Sequence, residues 1–472
     1  MSKRGLLILA AAFVPAVMPA QDAPNDRVIK AIATRYEAPG CDIKTGHFKV
    51  SSAATYLKSA YENPDGPRRE RLLRDADRVL REAVTENEQA DNGALWYYQG
   101  RVNLMQGDLR GADSAFTKAE RMLPECREEI KHFRQRAGTV LTNPAGEFAK
   151  ADKSDSALAL FRESLVIYRE FPTAYYNMGI LFTNAEQADS AAWYFTKAAE
   201  LAAADPRFTE LRNQATFNVA ALHQRANRHE EAVATLRRYV EWVPGDVEAR
   251  KALAVSLRAT GKADEAQALD KDLLASGAAS GTLTSSDLMS LGVNFFNEKK
   301  YAEAAEAFQK VADMAPYDRY AWFNLANSHL ALKDGPKLVL VGKKLVELEP
   351  LNEDHIKLLG EGYRLNKQQD ELIATVTGLI GMPTSIAVDN FSRTKGGAKL
   401  EGVATGRQAQ SAGGKDLPAK AVTVHIHFLD NGGKVVASKD LEIHALEPLG
   451  KHPFVVEAEG EGIVAYRYEV KK

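Results

Sequence analysis

Small residues return along this chain at a fixed interval. Ala220, Ala254, Gly292, Ala326 and Gly360 lie 34 residues apart, with one step of 38. A period of that length fits two short helices and their turns. It predicts stacked units, none of which can bury its apolar face without a neighbour. Other positions keep the same register. WYYQG at 96–100 is followed by Gly107, Ala112, Phe116, Ala119 and Pro124. AYYNMG at 174–179 is followed by Ala191, Phe195 and Ala198, and Ala220 by Ala232, Leu236 and Pro244. Ala254 leads to Ala266, and Gly292 to Tyr301, Ala304, Phe308, Val311 and Pro316. Ala326 leads to Leu345 and Pro350, and Gly360 with Tyr363 opens the last clear unit.

Apolar residues between these anchors recur three and four apart, the spacing of one helical face. The whole pattern resembles the tetratricopeptide repeat, W-x₂-L-G-x₂-Y followed by A-x₃-F. In such a unit a small eighth residue lets the first helix approach the second closely. Ala112, Ala191, Ala232, Ala266 and Ala304 do the same from the second helix, and Phe116, Phe195 and Phe308 fill the gap. Two units are degenerate. One pairs a helix around Ala54–Tyr61 with LRDADRVLREAV at 73–84. The other spans 128–167, with its first helix placed before Asn143-Pro144. The expectation is a mainly α fold: a TPR α–α superhelical solenoid of about nine units over 50–383, followed by a small β-sandwich over 384–472.

The resemblance implies a binding protein rather than an enzyme. Its partner would be a protein or an extended peptide, held on the concave face lined by the first helices. By register Trp96 and Trp322 are core residues, while Tyr97, Tyr176 and Phe323 lie one residue on and face the groove. Asn177, Asn218 and Asn324 are placed to hydrogen-bond a ligand backbone, or are ordinary solvated amides. Exported repeat proteins of this kind include scaffolds or adaptors of the bacterial cell envelope. They also include accessory subunits of secretion, outer-membrane or surface-polymer assemblies.

Near Pro383 the period changes from helical to two. Val422, Val424, Ile426 and Phe428 alternate with Thr423, His425 and His427. Leu441, Ile443 and Ala445 alternate with Glu442 and His444, and Asn431-Gly432-Gly433 marks a turn. SIAVDNF and AKLEGVATG supply two earlier strands, PFVVEAEG and GIVAYRYEVK two later ones. The segment from Phe428 to Val456 resembles small envelope-associated immunoglobulin-like domains. His425, His427 and His444 raise one chemical alternative, a metal site on the sandwich, against the plainer reading of solvent-facing histidines.

HEEA at 229–232 is not H-E-x-x-H, and neither G-x-x-x-x-G-K-[ST] nor G-x-S-x-G occurs. KGGAKLEG at 395–402 and SAGGKDLP at 411–418 sit among strands and turns, so they read as hairpin connections rather than phosphate loops. No catalytic, cofactor or metal residue is assigned. A formal net charge of -2 over 472 residues shows no nucleic-acid footprint.

Lys3 and Arg4 precede the apolar run from Gly5 to Ala16, then VMPA and QDAP. That order predicts a signal peptide over 1–20, cleaved after Ala20, with an uncleaved membrane anchor as the alternative, and a periplasmic or secreted protein with no transmembrane segment in its mature chain. Residues 21–49 form an N-terminal segment with a short helix over 24–37, ended by Pro39 and Gly40. Cys41 and Cys126 are the only cysteines. One bridge could join them in an oxidising compartment; the alternative is two free thiols in different units.

Overall fold

The structure is a computed structural model and describes residues 28–31, 35–63 and 66–471. The expected signal peptide lies outside them. Of the helix expected over 24–37, residues 28–31 are helical and 35–39 are not; the remainder lies outside the described residues.

Among the described residues from Phe48 to Ile380, eighteen α-helices follow one another as nine pairs. Contacts divide the chain at Pro244 and Gly245 into two compact units. The first holds α1 (Phe48–Glu62), α2 (Pro67–Asn87), α3 (Gly93–Met105), α4 (Leu109–Met122), α5 (Arg127–Lys150), α6 (Ser154–Ile167), α7 (Pro172–Asn184), α8 (Ala188–Ala202), α9 (Thr209–Arg225) and α10 (His229–Trp242). The second holds α11 (Val247–Ala259), α12 (Ala263–Ser280), α13 (Ser285–Asn297), α14 (Tyr301–Met314), α15 (Arg319–Ala331), α16 (Gly335–Leu348), α17 (Glu353–Leu365) and α18 (Gln369–Ile380), then six strands.

The small eighth residues do what their spacing predicts. A Cβ added to Gly100 would stand 2.5 Å from the Phe116 ring, and one added to Gly292 the same distance from Phe308. At Gly179 it would meet Phe195 at 2.7 Å. Each phenylalanine is buried and fills the space its glycine leaves.

Eight of the nine turns within pairs share one geometry. Gly107, Asp152, Glu186, Asn227, Gly261, Lys299, Lys333 and Lys367 each take a left-handed backbone, with φ between 55° and 76°. The next residue donates its N–H back to the first helix, as Lys262 does to the Leu257 carbonyl at 2.8 Å and Asp334 to that of His329 at 2.9 Å. This is the Schellman closure, which satisfies carbonyls that the helix end would leave unpaired. That same residue is then the N-cap of the second helix, with Asp108 and Asp334 accepting from the backbone of its first turn.

One expected boundary is corrected. Pro144 does not follow the first helix of its pair but lies within it, and α5 continues to Lys150. Its 24 residues account for the overlong unit: the neighbouring α3 has 13.

In the second unit the strands form two antiparallel three-stranded sheets. β1 (Thr384–Thr394), β2 (Gly397–Gly406) and β5 (Lys451–Glu459) run in the order β1-β2-β5; β3 (Val422–Leu429), β4 (Val435–Ile443) and β6 (Ala465–Val470) in the order β4-β3-β6. Val424, Ile426 and Phe428 face inward with Leu400, Ala404, Phe454, Val456, Tyr466 and Tyr468. The alternation expected through Ala445 stops at Ile443, where β4 ends; Ala445 is exposed and Leu446 is buried instead.

The sandwich is seated on the last helix pairs through a buried polar junction. Glu349 is 1% exposed. It receives Arg319 at 3.2 Å, the Asn352 amide at 2.8 Å and the Tyr466 hydroxyl. Arg319 also donates to the Val388 carbonyl of β1 at 2.9 Å. The Leu351 N–H donates to the Tyr468 hydroxyl at 3.3 Å, and its carbonyl accepts from Ile386 at 2.9 Å. Beyond β2, Arg407 pairs with Glu353 of α17. A buried carboxylate is tolerated here because its oxygens are occupied by donors, two of them on the sandwich side of the junction or bonded to it.

Candidate peptide-binding groove

The expected groove residues divide into three places. Tyr176 of α7 and Asn218 of α9 come together: the Asn218 amide donates to the Tyr176 hydroxyl at 3.4 Å. Both are half-buried, and the Tyr176 ring packs edge-on against Phe195, 5.3 Å between centroids. Asn177 is half-buried beside them in sequence. First helices of successive pairs thus present an aromatic ring and side-chain amides, a combination that can cover an extended ligand and bond its backbone.

Phe323 and Asn324 of α15 form the second place, in the other unit. Both are half-buried. The Asn324 amide lies 3.7 Å from the Met289 sulfur of α13, and the Phe323 ring 6.1 Å from the buried His355 ring of α17.

Tyr97 requires a correction. It is fully buried, not open to a groove. Its hydroxyl donates to Glu129 at 2.6 Å, and burial pushes its pKa well above the usual phenol value. Arg101, one turn on, is 1% exposed; its guanidinium donates to the Tyr97 hydroxyl at 3.2 Å. The tryptophans depart in the opposite sense. Trp96 and Trp322 are only half-buried, and each indole donates to a carbonyl six residues earlier, Ala90 at 2.7 Å and Pro316 at 2.9 Å. They clip the preceding loop onto the first helix, while their rings pack against the edge of the core rather than fully inside it.

Both partners of the Tyr97 hydroxyl, Arg101 and Glu129, also hold the chain's own N-terminal segment. Glu129 accepts from the Gly40 N–H at 2.8 Å and the Cys41 N–H at 3.2 Å. Arg101 donates to the Glu37 carbonyl at 2.8 Å and lies over the Tyr36 ring, 5.0 Å from its centroid. Arg136 meets the Glu37 carboxylate at 2.6 Å and the Ala31 carbonyl at 2.9 Å. Cys41 and Cys126 are joined by a disulfide. Arg101, Glu129 and Arg136 escaped the sequence reading because a charge within a helical pattern reads as solvated. The usable signal was an arginine as the one charged residue in the run YYQGRVNLM.

The histidines do not converge. His425 and His427 stand on β3 with ring centroids 4.5 Å apart, His425 bonded to Asp440 at 2.5 Å and His427 to Ser438 at 3.0 Å. His444 lies beyond β4 and packs against His452 instead, at 5.1 Å. Among the described residues no group of three or more His, Cys, Asp or Glu side chains could hold a metal ion. No helix among them is long and apolar enough to cross a membrane.

Residues 290–337 match the tetratricopeptide-repeat family. The matched stretch covers most of α13, all of α14 and α15, and the start of α16. Comparison with curated proteins finds no match. Several solved helical-repeat structures are similar. YrrB, described as a TPR protein with an unusual peptide-binding site, is 21% identical; the match covers 44% of this chain and 95% of that one, with a TM-score of 0.31. MamA 41-end from Desulfovibrio magneticus RS-1 is 18% identical over 37% of this chain and 93% of its own, with a TM-score of 0.31. The Naa15/Naa10 complex bound to HypK-THB gives 16% identity over 61% and 44%, with a TM-score of 0.34. Likeness at this level carries neither a ligand nor a partner to this chain.

Proposed function

We propose that this chain is an exported scaffold or adaptor of the bacterial cell envelope that binds a protein or extended peptide through its first helices. The observation that carries the reading is the pairing of Tyr176 with Asn218 across two successive first helices, with Asn177 alongside. Half-buried rings and amides at one level of a repeat stack suit a ligand whose own backbone needs hydrogen-bond partners. Phe323 and Asn324 offer the same residue types in the second unit. Two independent features support export. Lys3, Arg4 and the apolar run to Ala16 have the order of a signal peptide, and the Cys41–Cys126 bond suits an oxidising compartment.

The test is site-specific photo-crosslinking in intact cells, with a benzophenone amino acid replacing Tyr176 in one strain and Phe323 in another. A discrete crosslinked partner from the extracytoplasmic fraction is expected, lost when Asn177 and Asn218 are both changed to alanine. Crosslinks to nothing above the level of an exposed second-helix control such as Glu200 would sink the groove reading. Recovery of the full chain in the cytoplasm, with its N-terminus uncleaved, would sink export.

A further inference from the structure

The contacts around Arg101 have the form of a peptide complex within one chain. Three successive first helices supply the receptor: Tyr61 from α1, Tyr97 and Arg101 from α3, and Glu129, Phe133 and Arg136 from α5. The ligand is residues 35–41, a stretch in neither helix nor strand. Recognition is mostly of its backbone. The Glu37 carbonyl is held by Arg101, and the Gly40 and Cys41 N–H groups by a single Glu129 oxygen. Two side chains add selectivity. The Tyr36 ring sits between Arg101 and Tyr61, edge-on to the latter at 5.6 Å, and the Glu37 carboxylate meets Arg136.

Much of the receptor is also held by contacts among its own helices. Arg101 is packed among the rings of Tyr61, Tyr97 and Phe133, its guanidinium carbon 5.9, 5.6 and 4.8 Å from their centroids. Tyr97 bonds both Arg101 and Glu129. Charged groups held in place by their own helices bind a peptide backbone at a smaller ordering cost than mobile ones. The held segment is more exposed than its receptor: Arg35, Ala38 and Gly40 are exposed, Tyr36 and Glu37 half-buried. Its lock is the disulfide to Cys126, at the entrance to α5.

We propose that this groove is a binding site for extended peptides carrying an adjacent aromatic–acidic pair, kept closed by the chain's own residues 35–41 and opened when the Cys41–Cys126 bond is reduced. The proposal rests on the reading of the chain as a peptide binder, at a site distinct from Tyr176 and Asn218. Opening requires a dithiol. One thiolate attacks Sγ of half-buried Cys41, the Cys126 sulfur of the buried end leaves as thiolate and takes a proton, and the second thiol displaces Cys41 from the mixed disulfide. The two electrons come from the dithiol, which ends as a disulfide. The freed segment stays tethered through residues 42–47, so it continues to compete with an incoming peptide at high effective concentration.

The probe is a fluorescein-labelled peptide of residues 31–42 with Cys41→Ser, titrated against the full mature chain and read by anisotropy. No saturable binding is expected to the oxidised chain, and weak binding to the chain reduced with dithiothreitol. The strongest binding is expected to a full-length Tyr36→Ala, Glu37→Gln, Cys41→Ser variant, whose own segment keeps only its backbone contacts and has lost both side-chain contacts and the disulfide. A peptide carrying Glu37→Gln should bind that variant roughly tenfold more weakly, the loss of one charge-assisted hydrogen bond to Arg136. This arm leaves the protein unaltered. Equal binding to oxidised and reduced chains, failure of the triple variant to bind, or indifference to Glu37→Gln in the peptide would each overturn the proposal. Amide exchange on the wild-type chain gives a second reading: Gly40 and Cys41 should exchange faster on reduction, and unchanged protection overturns opening. None of these outcomes alters crosslinking from Tyr176, so the two sites stand or fall separately.

Discussion

Glu349 shows how much a single side chain holds in this chain. It lies between α16 and α17, is nearly inaccessible, and joins Arg319 to the sandwich through Tyr466. Removing it would leave the largely buried Arg319 guanidinium facing an unfilled space. Glu349→Ala is therefore expected to cost roughly 3–5 kcal/mol, the usual scale for orphaning a buried charge. Denaturant melts of the full chain check the size, and hydrogen exchange checks the place, with protection lost first in β1 and β6. His355 sits against the same carboxylate, 3.5 Å from it. Burial pushes its pKa below the ordinary histidine value, and the Glu349 charge opposes that shift without reversing it. The folded chain thus resists protonating His355 while the unfolded chain accepts the proton near pH 6.5. No penalty exists above that pH, and it grows as the pH falls below it. Tm measured from pH 7 to pH 5 should fall less steeply in His355→Gln than in the wild type. Parallel curves would show that another group carries the dependence; His223, His329 and His427, also lowered by burial, are the alternatives.

At the scale of the helix pair, legibility followed how tightly each position is constrained. Gly292 and Phe308 were readable because close packing tolerates almost nothing else there. A Cβ at 2.5 Å from a ring predicts that Gly292→Ala destabilises by about 1–3 kcal/mol, the cost of overpacking. Phe308→Leu should recover part of that loss in a double-mutant cycle, and strict additivity would show that the two do not share the space. The turns were harder to read. Of the eight left-handed positions, Gly107 and Gly261 carry the expected glycine, but three are lysine, and the rest Asp, Glu and Asn. The Schellman bond is made by backbone, so the sequence leaves little trace of it. A left-handed conformation costs a side-chain-bearing residue about 1–2 kcal/mol, more than the 0.5–1 kcal/mol of extra entropy glycine loses. Lys333→Gly should therefore raise stability by about 0.5–1 kcal/mol, seen as a higher Tm. A lower Tm would mean that the Lys333 side chain makes compensating contacts. The Tyr97 expectation failed, and the tryptophan one held only in part, for a related reason. Register fixes which way a residue points, while what bonds it comes from elsewhere in the chain: a preceding loop for Trp96, the segment 35–41 for Arg101, itself bonded to Tyr97.

At the scale of the molecule, a repeat stack has few contacts between residues distant in sequence, and its ends lack one neighbour. Residues 35–47 answer that weakness at the N-terminal end. They tie Glu129 and Arg136 of the third pair to residues preceding the first, and the disulfide closes a separation of 85 residues. The period of the sequence could not reveal this, because the segment belongs to no repeat and its partners are charged residues on packed helices. Cross-linking so large a loop removes much of the unfolded chain's freedom, and losing a native bridge of this kind typically costs about 2–5 kcal/mol. In a solenoid that loss should be local. Cys41→Ser is expected to lower protection against hydrogen exchange most in α1, α3 and α5, with the effect fading pair by pair through α7 and α9. Protection in the sandwich should remain as in the wild type. A uniform loss across the whole chain would instead mean that the stack unfolds as a single cooperative body, and that the segment does more than cap its first three pairs.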